Sequence, residues 1–339
     1  MRKILVGVLC WNNIEIISDA VDSLLDQSIK IDIFVVDNGS TDGSYDFLKD
    51  KYEDNIILHQ NKKNKGFAGG ANNVLRHAIE NGYDYVALLN SDAKAHKEWT
   101  LSLASVLDEN KKAGVSTSKI LKLDGKTIDT TGEQFYTWGL SSPRGRDEKD
   151  NGQYNKECQV FGGSGGASMY RVSMLKEVGL FDEDFFAYYE DADLSFRANL
   201  AGWKVIYTPK AIVEHEIGAS SSKVSGLAYK MSVKNQIMLL VKNVPLKNYF
   251  QIMLRFKVLW IGNIVSGLKQ GYFKQTISSL LILIVLLPKK FIQRVKIQRL
   301  RKKKNINADD IYMLISPGYP KIINDNTTVK LVRKLSFWR

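Results

Sequence analysis

The sequence predicts an α/β fold, a mostly parallel central sheet with helices against it, followed by a helical appendage of different character. Three observations carry this. Over the first 120 residues, short runs rich in Ile and Val alternate with segments whose apolar residues recur every three or four positions, the alternation that builds βαβ units. Those runs are continuously apolar, as strands covered on both faces are. The net charge of +12 is also unevenly spread: no acidic residue lies between Glu216 and Asp309, whereas Lys223 to Lys304 supply 18 basic ones, leaving −6 on the rest of the 339-residue chain.

Taken in order, "KILVGVL" (3–9), "IDIFVVD" (31–37), "NIILHQ" (55–60) and "YDYVALLN" (83–90) read as strands bounded by Asn, Asp or Gly. The start imitates a secretory leader, but its apolar run is short and leads into Asn12, Asn13 and Glu15, so a buried first strand fits better. Residues 14–25, 45–51, 71–79 and 99–107 have helical spacing. "KLDGKTIDTTG" (122–132) predicts a hairpin turning at Asp124 and Gly125, and the polar "SSPRGRDEKDNGQYN" (141–155) a mobile loop. "FGGSGGASMYR" (161–171) is a glycine cluster leading into a helix, and "WKVIYTP" and "AIVEHE" are two further short strands.

Beyond residue 220 the pattern is helical, mixing large apolar residues with Lys and Arg. The longest uncharged run, 275–288, has 14 residues, whereas a spanning helix needs about 20. An interfacial or re-entrant helix followed by a basic string is therefore expected, suited to an anionic membrane surface. Two cysteines, Cys10 and Cys158, are too few for a disulfide framework and suit a reducing compartment.

Four clusters sit where strands end, the rim at which open α/β sheets bind ligands. "VVDNGSTDGS" brings Asp37 and Asn38, either as plain turn chemistry or as acceptors and donors for a nucleoside. "NKGFAGGANN" brings Asn64 and Gly66 in a glycine-rich stretch resembling a phosphate loop, without the spacing of either common phosphate motif. "ALLNSDA" delivers Asn90 and Asp92 to a strand tip, where a carboxylate caps a helix or holds a divalent cation. The fourth joins "FFAYYEDADLSFR" (185–197) to "VEHE", in which His215 stands 24 residues after Asp191. Glu190, Asp191 and Asp193 suit the first turn of a helix, and His215 is a satisfied polar residue or a metal ligand.

In this order the motifs resemble glycosyltransferase family 2, nucleotide-sugar enzymes of the GT-A fold that invert the anomeric centre, and within it the rhamnosyltransferase-like and galactofuranosyltransferase-like branch. The resemblance runs from about residue 3 to 216. It implies a GT-A catalytic domain over 1–220, followed by a membrane-associating region over 221–304 and a tail over 305–339. It further implies that Asp37, Asn38, Asn64, Gly66, Asn90 and Asp92 hold the nucleotide-sugar donor, and that Asp92 and His215 bind Mn²⁺ or Mg²⁺, a nitrogen donor favouring Mn²⁺. Asn90 stands where the family's D-x-D motif has its first acid. Asp191 matches the catalytic base, with Glu190 beside it, and Gly163, Gly165, Gly166 and Tyr189 would frame the acceptor.

The rival readings fit less well. A nucleotidyltransferase needs a glycine-rich N-terminal loop with a basic residue, and "VGVLCWNN" has neither. A processive polysaccharide synthase would show a Q-x-x-R-W motif and several spans. A nucleic-acid-binding protein would use the basic stretch, but its cations alternate with Leu, Ile, Val and Phe in helical arrays, which favours lipid headgroups over nucleic acid. The expected activity is transfer of a sugar to a lipid-linked glycan for a bacterial surface polysaccharide, at the cytoplasmic face of the membrane. dTDP-rhamnose is the first expectation for the donor, with UDP-galactose, UDP-galactofuranose and UDP-glucose as alternatives.

Overall fold

The computed structural model describes residues 2–216 and 224–318. Two compact units divide the chain: 1–133 with 143–224, and 134–142 with 225–339. Residues 134–142, which the sequence assigns to the N-terminal domain, thus fall to the second unit. The expected tail belongs there too as far as residue 318, and residues 319–339 lie outside the described residues, as does Lys223 of the basic stretch.

The first unit runs β1 (Ile4–Cys10), α1 (Ile17–Leu25), β2 (Asp32–Asp37), α2 (Ser44–Tyr52), β3 (Ile57–Gln60), α3 (Gly66–Glu80), β4 (Tyr85–Asn90), β5 (Ala93–Ala95), α4 (Trp99–Glu109), β6 (Ala113–Lys122) and β7 (Ile128–Thr130). After β8 (Glu133–Phe135) and β9 (Ser141–Pro143), which pair with each other, come β10 (Cys158–Val160), β11 (Ala167–Arg171), α5 (Val172–Val178), α6 (Glu190–Leu200) and β12 (Lys204–His215). The sheet order is β10-β12-β6-β11-β4-β1-β2-β3, with β5 on β12 and β7 on β6. β3, β2, β1 and β4 are mutually parallel; β11 runs antiparallel between β4 and β6, and β6 is parallel to β12.

β1 is apolar throughout because both faces are covered. Val6 and Val8 pack into one core with Ile17 and Val21 of α1, while Leu5 packs into the other with Val74 and Leu75 of α3. Gly7 permits that second contact, since a Cβ there would collide with the Val74 side chain.

Four expectations change. Gly66, Gly69 and Gly70 are not a loop but lie within α3. The predicted two last strands are one, β12, whose pairing with β6 slips between Tyr207 and Ile212 and then resumes. A strand, β11, precedes the helix expected after the glycine cluster. The segment expected to be mobile is pinned: buried Lys119 holds Asp150 at 2.7 Å and Asn155 at 2.6 Å, and Arg144 stacks over Tyr154.

The second unit contains α7 (Leu227–Asn243), α8 (Leu246–Lys269), α9 (Phe273–Lys303) and α10 (Ala308–Met313). The apolar run and the basic string that follows it form one 31-residue helix through Pro288. Among the described residues α9 is the one helix long and apolar enough to cross a membrane, by length and composition.

Candidate active site

The sheet itself gathers the predicted residues. Cys10 is in register with Asp37, and Leu9 with Asn90, so the strand ends carrying "DNGS" and "NSDA" are neighbours at one rim. Asp37 is fully buried, its Oδ1 accepting from the Ser40 amide at 3.3 Å and its Oδ2 from Gln60 Nε2 at 3.3 Å. Asn38 ties the following segments together: its amide donates to Asn64 Oδ1 at 3.2 Å and to the Gly66 carbonyl at 3.0 Å, and its Oδ1 accepts from Asn61 Nδ2 at 3.0 Å. Asn64 Oδ1 in turn accepts from the Gly66 amide at 2.7 Å.

Gly66 joins this half of the rim to the segment before α6. Its φ is +71°, and a Cβ would strike both the carbonyl and the ring of Phe186. Phe186, Tyr188 and Tyr189 themselves take φ values of 66°, 67° and 71°, a conformation that costs non-glycine residues about 1–3 kcal/mol each and clusters at functional sites. Phe185, just before them, is fully buried.

The three acids of α6 have separate fates. Asp193 is fully buried, 2.9 Å from Arg197, whose guanidinium donates to the carbonyls of Val178, Gly179 and Leu180 at 2.7–3.0 Å. That ion pair fastens α6 to the end of α5. Glu190 is 6% exposed and its Oε2 has no hydrogen-bond partner; burial and then the charge of Asp191 push its pKa well above the usual carboxylate range. Asp191 accepts from the Gly165 amide at 3.1 Å and from the Ala192 amide at 2.7 Å. Burial raises its pKa, and those two amides pull it back down.

Gly165 and Gly166 connect Asp191 to the other end of the rim. A Cβ on Gly165 would lie 3.1 Å from the Phe67 ring and 3.5 Å from Asp191 Cβ, and one on Gly166 would lie 2.8 Å from Asn90 Nδ2. Gly163 does not join them: it packs inward, where a Cβ would meet Ser168 Oγ at 2.8 Å and Val115 at 3.0 Å.

His215 reaches the rim because β12 pairs with β5, putting His215 opposite Ala93. Its Nε2 lies 3.1 Å from Asp92 Oδ1 and 3.3 Å from Asn90 Nδ2, and its Nδ1 lies 2.8 Å from Asp129 Oδ2. Burial lowers its pKa, but the hydrogen bonds to Asp129 and Asp92 outweigh that and raise it to about 9. Among the described residues no three His, Cys, Asp or Glu side chains are grouped to hold a metal ion. Asp129 was not singled out in the sequence, where "IDTTG" reads only as the return strand of a hairpin.

Comparison with known proteins identifies the family. The model of the family described as Glycosyl transferase family 2 matches residues 5–179, just over half of the chain. An N-acetylglucosaminyl-diphospho-decaprenol L-rhamnosyltransferase of Mycobacterium tuberculosis is 26% identical over 215 residues, covering 57% of this chain and 69% of its own. The dTDP-rhamnosyl transferase RfbF of Shigella flexneri is 28% identical over 214 residues, 59% of this chain and 69% of its own. A similar fold is seen in the mannosyltransferase PcManGT from Pyrobaculum calidifontis in complex with GDP-Man and Mn²⁺, at a TM-score of 0.53 and 14% identity over 90% of this chain and 87% of that one. With the family model matched over more than half of its length, the chain belongs to glycosyl transferase family 2 and is an inverting glycosyltransferase.

Proposed function

We propose that this enzyme transfers rhamnose from dTDP-rhamnose to a hydroxyl of a lipid-linked saccharide, using Asp191 as its base. The observation that carries the assignment is the unbroken line of contacts from Asp191 through Gly165, Gly166, Asn90 and His215 to Asp92. The donor follows the dTDP-rhamnosyl transferase of Shigella flexneri, and the lipid-linked acceptor follows the diphospho-decaprenol rhamnosyltransferase of Mycobacterium tuberculosis.

Asp37, Asn38, Asn64 and Gly66 hold the nucleoside end of the donor in this reading. Asp92 and His215 offer a carboxylate and an imidazole in direct contact, a donor pair that fits a divalent cation, Mn²⁺ before Mg²⁺, whose other positions go to diphosphate and water. Such a cation, when bound, supplies positive charge to the departing diphosphate. Asn90 adds a neutral amide at 3.3 Å from the imidazole.

On the other side, an acceptor hydroxyl is a poor nucleophile until its proton is taken as the bond forms. The raised pKa of Asp191 makes it a better base than an exposed carboxylate, and the amides of Gly165 and Ala192 fix its orientation. Gly165, Gly166 and Tyr189 border the acceptor, and Gly163 supports them from within. Attack opposite the leaving diphosphate inverts the anomeric carbon in one displacement.

The second unit supplies the membrane surface. Phe250, Leu254, Val258, Ile261, Val265 and Leu268 form an exposed stripe along α8, and Ile277, Leu281, Ile284 and Val285 lie exposed on α9. Basic residues flank both and no acid interrupts them, which suits anionic headgroups at the cytoplasmic face rather than nucleic acid. In this reading α9 lies in the interface with its basic string at the headgroups, the alternative for a helix of its length and composition being a single crossing.

A thermal-shift screen of dTDP-rhamnose, UDP-galactose, UDP-galactofuranose and UDP-glucose, with and without Mn²⁺, tests the reading. Stabilisation by dTDP-rhamnose that grows with Mn²⁺ supports it. A larger response to any UDP-sugar reassigns the donor.

A further inference from the structure

We infer that Asp129 is a positioning residue for the metal end of the site, holding the His215 imidazole so that Nε2 faces Asp92. The inference rests on the reading of His215 as a cation ligand and names a residue that reading leaves out.

Asp129 sits in β7, 4% exposed as a side chain, with Oδ2 2.8 Å from His215 Nδ1. The opposite ring nitrogen is 3.1 Å from Asp92 Oδ1. An imidazole has two nitrogens, and whichever one gives its proton to a fixed acceptor leaves the other free to ligate. Asp129 accepts at Nδ1, so Nε2 is the nitrogen left on the Asp92 side, and a cation seated there takes its lone pair by displacing the proton Nε2 otherwise shares with Asp92. A buried carboxylate behind a ligating histidine both fixes the ring plane and makes the ligand more basic.

Two further features hold Asp129 in place. β7 pairs antiparallel with β6, Ile120 with Thr130 and Leu121 with Ile128, and β6 in turn pairs with β12 at His215 through Lys122. The carboxylate and the imidazole are therefore carried by two strands that share one neighbour, not by loops. Arg146 adds a positive charge 2.9 Å from Asp129 Oδ1, where it balances a buried carboxylate that would otherwise be left with a single partner. Arg146 comes from the polar segment held down by Lys119, which explains why that segment is fastened so close to a rim it does not line.

The test is a titration of the full chain with Mn²⁺ alone, followed by the electron paramagnetic resonance signal of the free ion, on wild type, Asp129→Asn, Asp129→Ala and His215→Ala, with the thermal midpoint of each. His215→Ala should weaken Mn²⁺ binding and Asp129→Ala should weaken it by about 10–100-fold, the usual cost of losing such a partner. Asp129→Asn keeps a carbonyl acceptor of the same shape without the charge and should fall between Asp129→Ala and wild type, which keeps the test alive if Asp129→Ala does not fold. Wild-type affinity in Asp129→Asn and Asp129→Ala, with His215→Ala impaired, overturns the inference alone, whatever the thermal midpoints do. Wild-type affinity in His215→Ala overturns the reading of the site and this inference with it.

Discussion

Replacing Asp191 with Asn separates chemistry from folding, because the two effects differ in size. In the native site the carboxylate accepts from two backbone amides, Gly165 at 3.1 Å and Ala192 at 2.7 Å. An Asn side chain has one oxygen and one amide, so one of those N–H groups loses its acceptor, at a cost of about 1–3 kcal/mol. Against this, the raised pKa of Asp191 means that the fold disfavours its charge, and a neutral side chain escapes that penalty. The two oppose each other, so the net change should stay within about 2 kcal/mol, or about 4–8 °C in thermal midpoint for a unit of this size. The rate has no such compensation. General base catalysis is worth about 10²–10⁴-fold, or about 2.7–5.4 kcal/mol of barrier at 1.36 kcal/mol per decade. Initial rates of sugar transfer, measured beside nucleotide affinity and melting curves, should show kcat falling by at least about 100-fold with the nucleotide Kd unchanged. Turnover within about tenfold of wild type, in protein that melts normally, would remove Asp191 from the chemistry.

Glu190→Gln removes a charge that the fold disfavours and should retain wild-type kcat at pH 7; a loss of about 100-fold or more, the scale of a lost general base, would mean that Glu190 works as an anion. In the same pH series, Asp191 is active only once deprotonated. Its folded pKa is raised, so the acid limb of kcat/KM should lie above the ordinary carboxylate value of about 4 and disappear in Asp191→Asn; a limb at or below that value contradicts the burial argument. Gly66→Ala should be among the most damaging single substitutions at the rim, since it combines a φ of +71° with collision against Phe186. Strain of about 1–2 kcal/mol from the backbone and about 1–3 kcal/mol from overpacking should appear in chemical denaturation, and wild-type stability would show that the Phe186 segment moves aside freely.

How much of this was legible in the sequence depended on how far away each residue's partner lies. Strands β1 to β4 were readable because their signal is local: an apolar run and a polar residue at its end. The pair Asp193 and Arg197 is local as well, at helical spacing four, and it accounts for one of three acids that composition alone leaves equivalent. Gly69 and Gly70 were misread as loop residues because glycine is a poor helix former; what overrides that preference is close packing, a Cβ on Gly70 falling 2.7 Å from Leu9 and 3.2 Å from Asn38. The segment 141–155 was misread for the converse reason. Its charges look solvated, yet Asp150 and Arg146 are spent on Lys119 and Asp129, 31 and 17 positions away. Asp129 itself had no local signal, its histidine being 86 residues further on.

The misreading of β12 and the position of His215 at the rim are linked. Pro209 lacks an amide proton and reads as a strand end, so the sequence broke the strand into two pieces. The structure keeps it continuous by letting the register slip between Tyr207 and Ile212 while β6 runs on unbroken. That slip matters to the site. Past it, β12 stays paired with β6 on one edge and takes β5 on the other, Glu214 with Lys94 and His215 with Ala93. A strand ending at Pro209 would have left His215 on a loop, with its ring held by nothing but the ligand it was meant to bind. Continuous backbone pairing instead fixes its Cα opposite the residue that follows Asp92, and Asp129 on the neighbouring ladder fixes its ring. Motif order in the chain therefore predicted which residues meet, but only the irregular strand explains how the last of them arrives.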